Sequence, residues 1–295
     1  MKKGLLGTMM LVLSLALLSA CGSANKIVIG AQTYSEVKVI AEMYKALIED
    51  RTDLKVQVKP DLSSSPVVIN AMKSGEVDMA TLYSGEIFNN HFELKTEPKT
   101  REEVVEVGRE GFAGLGITWF EPYGFENTYA FTVRKEVADE LGLKTISDLK
   151  EHAKNMKLGV DTTWLERPND GYKAFTQHYG FEFGQTFPME IGLVYEAVAN
   201  KEVDIVLAYS SDARIKEFNL VTLTDDKQFF PPYDALPVAR TKVIEEHPEL
   251  KEVIALLHGK ITLDKAIALN YEVDVNKRSE REVALEFLRK EGLLE

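Results

Sequence analysis

Short apolar stretches alternate along the chain with longer segments in which apolar residues recur every three or four positions. The run KIVIG at residues 26–30 is typical of a buried strand, and apolar residues from Val37 to Ile48 then follow the helical period with charged residues between them. Strands are predicted at 26–30, 55–59, 79–83, 128–133, 157–160, 205–209 and 220–224, and helices at 37–48, 66–72, 100–109, 146–152, 172–179, 194–200 and 279–290. This alternation predicts an α/β architecture with mainly parallel sheets.

The first 21 residues have a different composition from the rest of the chain. Lys2 and Lys3 precede an uncharged apolar run from Leu5 to Leu18, and small residues lead into Cys21. This order is typical of an export signal, which we expect to span residues 1–20. The alternative is a membrane-spanning helix, because the run is close to the minimum of about 17 residues needed to cross a bilayer.

Length and charge narrow the class of partner. At roughly 100–200 residues per domain, the 295 residues predict about two domains. The formal net charge of −12 argues against a broad basic face for DNA or RNA. A small ligand or a protein partner fits this balance better than a nucleic acid.

Residues 70–86 and 196–212 form a weak internal repeat. Both copies contain Glu-Val-Asp, then an apolar strand that ends on Tyr-Ser with a carboxylate two residues later. Each copy therefore places a tyrosine, Tyr83 or Tyr209, at the C-terminal end of a predicted strand. Ligands of open α/β sheets bind beyond such strand ends, so both tyrosines could face one cleft between two lobes. The alternative is that two helix-turn-strand units look alike by chance.

Further aromatic residues lie at predicted turns and strand starts. Tyr233 follows two prolines that stiffen the backbone, and Tyr129 opens a predicted strand just after a glycine turn. Tyrosine faces attract cations, and several around one point would hold a quaternary ammonium group, which has no hydrogen to donate. For any single tyrosine, the alternative is an ordinary half-buried position.

The chain resembles the glycine betaine/carnitine/choline-binding lipoproteins of osmoprotectant ABC importers over nearly all of the sequence after residue 20. The motifs that carry the resemblance are GAQ at 30–32, ATLYSG at 80–85, YGFENTYAF at 123–131, KLGVD at 157–161, YGFEFG at 179–184, IGLVY at 191–195, LAYSSD at 207–212 and FFPPYD at 229–234. The resemblance implies a two-lobe periplasmic-binding-protein-like fold of type II, with the ligand cleft between the lobes. We expect lobe I to comprise 21–128 and 234–295 and lobe II to comprise 129–233, with crossings near 128–132 and 227–234.

The resemblance also implies which residues bind the solute. It maps a cage for a trimethylammonium group onto Tyr83, Tyr129, Tyr209 and Tyr233. Gln32 matches a position that contacts the other end of the solute, and Asn127 matches a polar position close to the pocket. The small residues before Cys21 resemble a lipobox, which implies cleavage before Cys21 and a lipid on its sulfur. The protein is then expected on the extracytoplasmic face of the cell membrane, working with an ABC permease and an ATPase.

Glu86 is the position that bears on solute choice. In the proteins that the chain resembles, the residue three after the first cage tyrosine is acidic or carries a hydroxyl. A carboxylate near the solute tail would repel glycine betaine or carnitine and favour choline, whose tail is neutral. The alternative is that Glu86 opens the next helix and faces solvent. We expect choline to be favoured, with a glycine betaine or carnitine preference as the alternative.

Motifs for catalysis are weak in this sequence. The five histidines have no metal-ligand spacing, and there is no Walker loop and no Gly-x-Ser-x-Gly elbow. We therefore expect a binding protein without enzyme activity, cofactor or metal. The competing hypotheses are an extracellular enzyme that acts on choline-like substrates in the same cleft, and a surface receptor for a protein partner.

Overall fold

The computed structural model describes residues 25–89, 91–94, 100–168 and 170–295, which fold into two α/β lobes. The strands are β1 (Lys26–Gln32), β2 (Lys55–Leu62), β3 (Met79–Tyr83), β4 (Ile117–Trp119), β5 (Tyr129–Arg134), β6 (Lys157–Asp161), β7 (Gln185–Met189), β8 (Ile205–Tyr209), β9 (Leu220–Thr222) and β10 (Ala235–Arg240). One sheet has the order β2-β1-β3-β10-β4, and the other has the order β7-β6-β8-β5-β9. The α/β class with two sheets is as predicted.

Helices cover both sheets. The α-helices of the described residues are α1 (Ser35–Arg51), α2 (Ser65–Ser74), α3 (Arg101–Ala113), α4 (Lys135–Leu141), α5 (Thr162–Glu166), α6 (Tyr172–Tyr179), α7 (Val194–Ala199), α8 (Arg214–Glu217), α9 (Thr241–Glu246), α10 (Leu250–Ala255), α11 (Leu263–Asp274) and α12 (Glu280–Lys290). Short 3-10 helices cover Ser84–Phe88, Ile146–Glu151 and Ala153–Asn155. We define lobe I as the first sheet with α1–α3 and α9–α12, and lobe II as the second sheet with α4–α8.

Local sequence signals explain the main helices of lobe I. The apolar stripe of α1 is fully buried and packs on β1, β2 and the C-terminal helices α10–α12. Helix α2 has Pro66 in its first turn and ends at Gly75, whose φ of 83° is the left-handed conformation that glycine adopts easily. Ser279 caps α12 in a reciprocal pair with Glu282, whose side chain accepts from the Ser279 N–H.

The expectation of mainly parallel sheets was wrong. Strand β1 pairs in parallel with β2 and β3, and β6 does so with β7 and β8. However, β10 is antiparallel to β3 and β4, and β5 is antiparallel to β8 and β9. These two strands are the ones that the chain enters directly after passing from the other lobe. No crossover helix precedes them, so they need not follow the parallel βαβ rule.

Some short elements escaped the periodicity analysis. The predicted helix at 146–152 is a six-residue 3-10 helix instead. Strand β10 was missed because Pro237 lies in its middle, where a proline normally argues against a central strand. Strand β7 carries Pro188 and is mostly exposed, so it lacks the apolar alternation on which the prediction depends.

Two chain segments join the lobes. The first crossing, residues 120–128, runs from β4 to β5, and the return crossing, residues 223–234, runs from β9 to β10. The Tyr123 and Asn127 N–H groups donate to the Ala235 and Tyr233 carbonyls at 3.0 Å, and the Ala235 N–H donates to Phe125 at 3.0 Å. The paired part of the first crossing thus lies a few residues before the expected 128–132. The residue bounds expected from the sequence, 21–128 and 234–295 for lobe I and 129–233 for lobe II, stay a prediction.

The N-terminal expectations cannot be placed on this fold. The signal segment at 1–20 and Cys21 lie outside the described residues. Within the ranges that the structure does describe, no helix combines the length and the apolar character that a bilayer span requires.

Candidate functional site

The two copies of the sequence repeat occupy equivalent places in the two sheets. Strands β3 and β8 are each the central strand, with a parallel neighbour on one side and an antiparallel crossing-derived strand on the other. Tyr83 and Tyr209 end these strands and both line one pocket between the lobes. The placement of both tyrosines in one cleft is therefore as the repeat predicts.

The other two predicted tyrosines complete this pocket. Tyr129 is the register partner of Tyr209 on the neighbouring strand, with ring centroids 5.1 Å apart. Tyr233, at the end of the return crossing, meets the Tyr129 ring edge to face at 5.8 Å. Tyr83, Tyr129 and Tyr233 are 5–7% exposed, and Tyr209 is half-buried. Four aromatic rings thus surround one small space.

Glycine at position 85 is required for this arrangement. A Cβ at Gly85 would come within 2.3 Å of the Tyr233 Cε1 atom and within 2.5 Å of its Cδ1 and Cζ atoms. The Tyr233 ring therefore lies directly against the backbone that follows Tyr83. A side chain at this position would displace the ring from the pocket.

The predicted polar residues line the same pocket. Gln32, the last residue of β1, is 2% exposed and donates from Nε2 to the Ser65 Oγ atom at 2.5 Å. Asn127 lies on the first crossing and is 7% exposed. All seven predicted ligand-binding residues, Gln32, Tyr83, Glu86, Asn127, Tyr129, Tyr209 and Tyr233, are brought together by the fold.

Glu86 does not face solvent, so that alternative for its side chain was wrong. It lies in the 3-10 helix Ser84–Phe88, is 4% exposed, and accepts from Asn89 Nδ2 at 2.9 Å, with His91 Nε2 at 3.2 Å. Burial alone would raise the pKa of the Glu86 carboxyl. The hydrogen bond with His91 and the positive charge of Arg167 outweigh burial, so its pKa lies below the ordinary value. The pocket therefore contains an ionised carboxylate at neutral pH.

Arg167 is a pocket residue that the sequence analysis missed. Its guanidinium carbon lies 5.7 Å from the ring centroids of both Tyr129 and Tyr233, within cation–π range. Its Nη2 atom donates to the Tyr233 hydroxyl at 2.6 Å, and its Nε atom donates to the Asp170 Oδ1 atom at 2.7 Å. The Tyr233 hydroxyl also donates to Asp170. Two of the four rings, those of Tyr129 and Tyr233, are thus already in cation–π contact with Arg167.

Tyr34 and Glu36, at the start of α1, were also missed. The Tyr34 ring meets Tyr209 edge to face at 5.5 Å, and burial raises the pKa of Tyr34 to about 12. The Glu36 carboxylate is 3% exposed and accepts from the Tyr83 hydroxyl at 2.7 Å. No local signal marks Glu36, because acidic residues are common in the first turn of any helix.

The electrostatics of the pocket suit a small organic cation. Ring faces supply negative potential without demanding a hydrogen from the ligand. Burial is the main cause of the raised pKa values of Tyr34, Tyr129 and Tyr209, and the nearby negative charge of Asp161 raises these pKa values further. In the part of the chain that the structure describes, no group of three or more His, Cys, Asp or Glu side chains could hold a metal ion.

A two-lobed α/β fold with a small-molecule pocket between the lobes is typical of the solute-binding proteins of importers. The profile of the OpuAC family, described as the substrate binding domain of ABC-type glycine betaine transport systems, matches residues 25–290. The chain belongs to this family. It is a substrate-binding protein of an ABC importer, and such proteins are extracytoplasmic and work with permease and ATPase subunits.

Individual relatives agree with this assignment. The carnitine transport binding protein OpuCC of Listeria monocytogenes is 41% identical over 295 residues, covering 99% of this chain and 96% of the relative. A glycine-betaine-binding protein of Pseudomonas aeruginosa is 32% identical, covering 97% and 94%. A crystal structure described as a glycine betaine/carnitine/choline ABC transporter superposes with a TM-score of 0.77 at 39% identity, covering 90% and 99%.

Proposed function

We propose that this protein captures a quaternary ammonium compatible solute by enclosing its trimethylammonium group among Tyr83, Tyr129, Tyr209 and Tyr233. The observation that carries the proposal is the convergence of these four rings, from both lobes and from the return crossing, on one pocket. The family and the named relatives, which handle glycine betaine or carnitine, support the same class of solute.

The cage alone accounts for only part of a useful affinity. Cation–π contacts are worth about 0.5–2 kcal/mol each, so four rings supply roughly 2–8 kcal/mol before entropy losses. A micromolar dissociation constant needs about −8.2 kcal/mol. Contacts to the solute tail from Gln32 and its neighbours, together with lobe closure, must supply the rest.

We propose further that choline is the favoured solute. Arg167 is paired with Asp170, whereas the ionised Glu86 in the pocket lining has the neutral amide of Asn89 and the ring of His91 as its hydrogen-bond partners. Two like charges at about 4 Å repel by roughly 1 kcal/mol in water and by about 4 kcal/mol at an effective dielectric of 20. This repulsion acts on the carboxylates of glycine betaine and carnitine and is absent for choline.

A preference for carnitine or glycine betaine is the second candidate. Arg167 could turn from Asp170 to a solute carboxylate, since a guanidinium binds carboxylates in a forked geometry. The carnitine-binding relative from Listeria supports this candidate.

We propose for either solute that the protein binds and releases it unchanged. An enzyme acting on choline-like substrates would instead consume bound choline on prolonged incubation.

Calorimetric titration of the purified protein with choline, glycine betaine and carnitine tests these proposals. We expect tight choline binding and at least about 5-fold weaker binding of the two zwitterions, because about 1 kcal/mol corresponds to that ratio. Glu86→Gln should reduce the ratio of the zwitterion and choline dissociation constants. Glu121 is an exposed carboxylate paired with Arg109, so Glu121→Gln should leave that ratio unchanged. Preferred carnitine binding would favour the second candidate, and no binding of any of the three would refute the proposed function.

We also propose that Cys21 is the lipid anchor after removal of residues 1–20. The support is the apolar run, the small residues and the lone cysteine at that position. Metabolic labelling with a fatty-acid probe in a bacterial host should label the parent and not Cys21→Ala. Equal labelling of both proteins would contradict the anchor.

A further inference from the structure

Glu36 accepts four hydrogen bonds from four separate parts of the chain. Its Oε1 atom accepts from the Tyr83 hydroxyl at 2.7 Å and from Asn127 Nδ2 at 2.5 Å. Its Oε2 atom accepts from the Ser211 hydroxyl at 2.8 Å and from Asn270 Nδ2 at 2.6 Å. Each oxygen thus receives two donors, which fills the acceptor capacity of a carboxylate.

These donors belong to both lobes and to the connection between them. Tyr83 ends β3 and Asn270 lies on α11, both in lobe I, whereas Asn127 lies on the first crossing. Ser211 follows β8 of lobe II and is 1% exposed. The Ser211 carbonyl also accepts from Asn270 at 3.0 Å. A single side chain of lobe I is therefore in contact with lobe II and with the first crossing.

The chemistry of the four donors selects a carboxylate over an amide. A glutamine has one acceptor oxygen, and its NH2 group would face the Asn270 NH2 group and the Ser211 hydroxyl. Desolvating a carboxylate is expensive unless its hydrogen bonds are complete. Burial raises the pKa of the Glu36 carboxyl, whereas its four hydrogen bonds and its position in the first turn of α1 favour the negative charge. Such a carboxylate holds its four donors in one arrangement, because loss of any donor leaves a buried charge without a hydrogen bond.

We propose that Glu36 is a positioning residue that couples the solute cage to lobe closure, by holding the Tyr83 ring in the cage and latching lobe II through Ser211. This inference rests on the proposed function. On this proposal, opening of the cleft separates Ser211 from Glu36, and the latch forms only when the lobes close over the cage. Its loss then shortens the residence time of the solute, while capture of the solute by the open form continues.

The test compares choline binding and release by Glu36→Gln, Ser211→Ala and the double variant with the parent, all as the full chain in detergent. Titration gives affinity, and stopped-flow fluorescence gives the rates, with Trp164 as reporter because its ring lies 6.2 Å from that of Tyr129. Glu42→Gln is the matched control, because Glu42 lies on the same helix in an ion pair with Arg281 outside the pocket.

We expect Glu36→Gln to weaken choline binding about 10-fold or more and Ser211→Ala to weaken it about 5-fold, mainly through faster dissociation. The double variant should be no more than about 2-fold weaker than Glu36→Gln, because both changes remove the same contact. Glu42→Gln should match the parent.

The inference fails if Glu36→Gln and Ser211→Ala bind and release choline within about 2-fold of the parent, even when their thermal stability is lower. Ser211→Ala keeps the other three donors, so it decides the question alone if Glu36→Gln does not fold. If the parent binds no quaternary amine, both the proposed function and this inference fail. If the parent binds and the variants are unchanged, only the inference fails.

Discussion

The helix-turn-strand units of the two lobes share their scaffold. Asp78 and Asp204 directly precede β3 and β8 and anchor these strands in the same way, since each carboxylate accepts a backbone N–H of the neighbouring strand, from Val28 at 2.9 Å and from Lys157 at 2.8 Å. The serines that follow the two tyrosines also correspond. Ser84 bonds to the return crossing at residues 232 and 234, and Ser210 bonds to the first crossing at residue 128. Each lobe thus fixes its tyrosine relative to a crossing by the same local device.

The units differ in what surrounds the tyrosine. The Tyr83 hydroxyl donates to a buried carboxylate, whereas the Tyr209 hydroxyl, among the residues that the structure describes, makes a single 3.5 Å contact with the Tyr34 hydroxyl. Gly85 makes room for the Tyr233 ring, whereas the equivalent Ser211 donates to Glu36. A repeated scaffold therefore carries two different halves of one site. Lobe I contributes Tyr83 with Gln32 and Glu86, and lobe II contributes Tyr129 and Tyr209 with Arg167.

The largest predicted effect is that of a methyl group at position 85. Gly85→Ala should weaken choline binding at least about 100-fold, because the new Cβ would displace the Tyr233 ring from the cage. Calorimetric titration measures the loss. Gly192→Ala is the control, since its Cβ would meet nothing closer than 3.6 Å. Unchanged affinity in Gly85→Ala would contradict the placement of Tyr233.

Removal of a ring from either lobe should have the next largest effect. Tyr209→Ala and Tyr83→Ala should each weaken choline binding about 10-fold or more, the equivalent of one strong cation–π contact. The folded state should persist, which thermal unfolding can verify. Tyr271→Ala, on α11 away from the pocket, should bind as the parent does. A Tyr209→Ala protein that binds every quaternary amine like the parent would exclude the cage.

Loss of the hydroxyl alone should distinguish the two lobes. Tyr83→Phe keeps the ring but leaves Glu36 one donor short, so we expect about 5-fold weaker binding, or about 1 kcal/mol. Tyr209→Phe should bind within about 2-fold of the parent, because its hydroxyl makes only a long contact. Parallel titrations of the two variants give the comparison. Equal losses would show that the two tyrosines have equivalent roles.

The smallest predicted effect is a difference in folding stability between alanine variants of Ser84 and Ser210. Ser84 is fully buried and makes two bonds to the return crossing, whereas Ser210 is half-buried. Urea unfolding of Ser84→Ala should show a free energy of unfolding about 1 kcal/mol or more below the parent. Ser210→Ala should lose only about half as much, because water can reach the group that it leaves. The reverse order would indicate that the crossings are not anchored in this way.

The sequence predicted those features that have local signals. Periodicity and the repeat identified most long elements and the strand-end position of Tyr83 and Tyr209, and the family motifs assigned Tyr129 and Tyr233 to the cage. The antiparallel insertion of β5 and β10 was missed because it follows from the chain crossing between lobes, and no local pattern encodes that. Glu36 was missed because its four partners lie 47, 91, 175 and 234 residues away along the chain.

The central claim is that aromatic faces recognise the positive charge of the solute. The direct test is a calorimetric comparison of choline with 3,3-dimethylbutan-1-ol, which has the same shape with carbon in place of the charged nitrogen. We expect choline to bind at least about 30-fold more tightly, because four cation–π contacts of at least about 0.5 kcal/mol each disappear with the charge. Equal affinities for the two compounds would contradict the account.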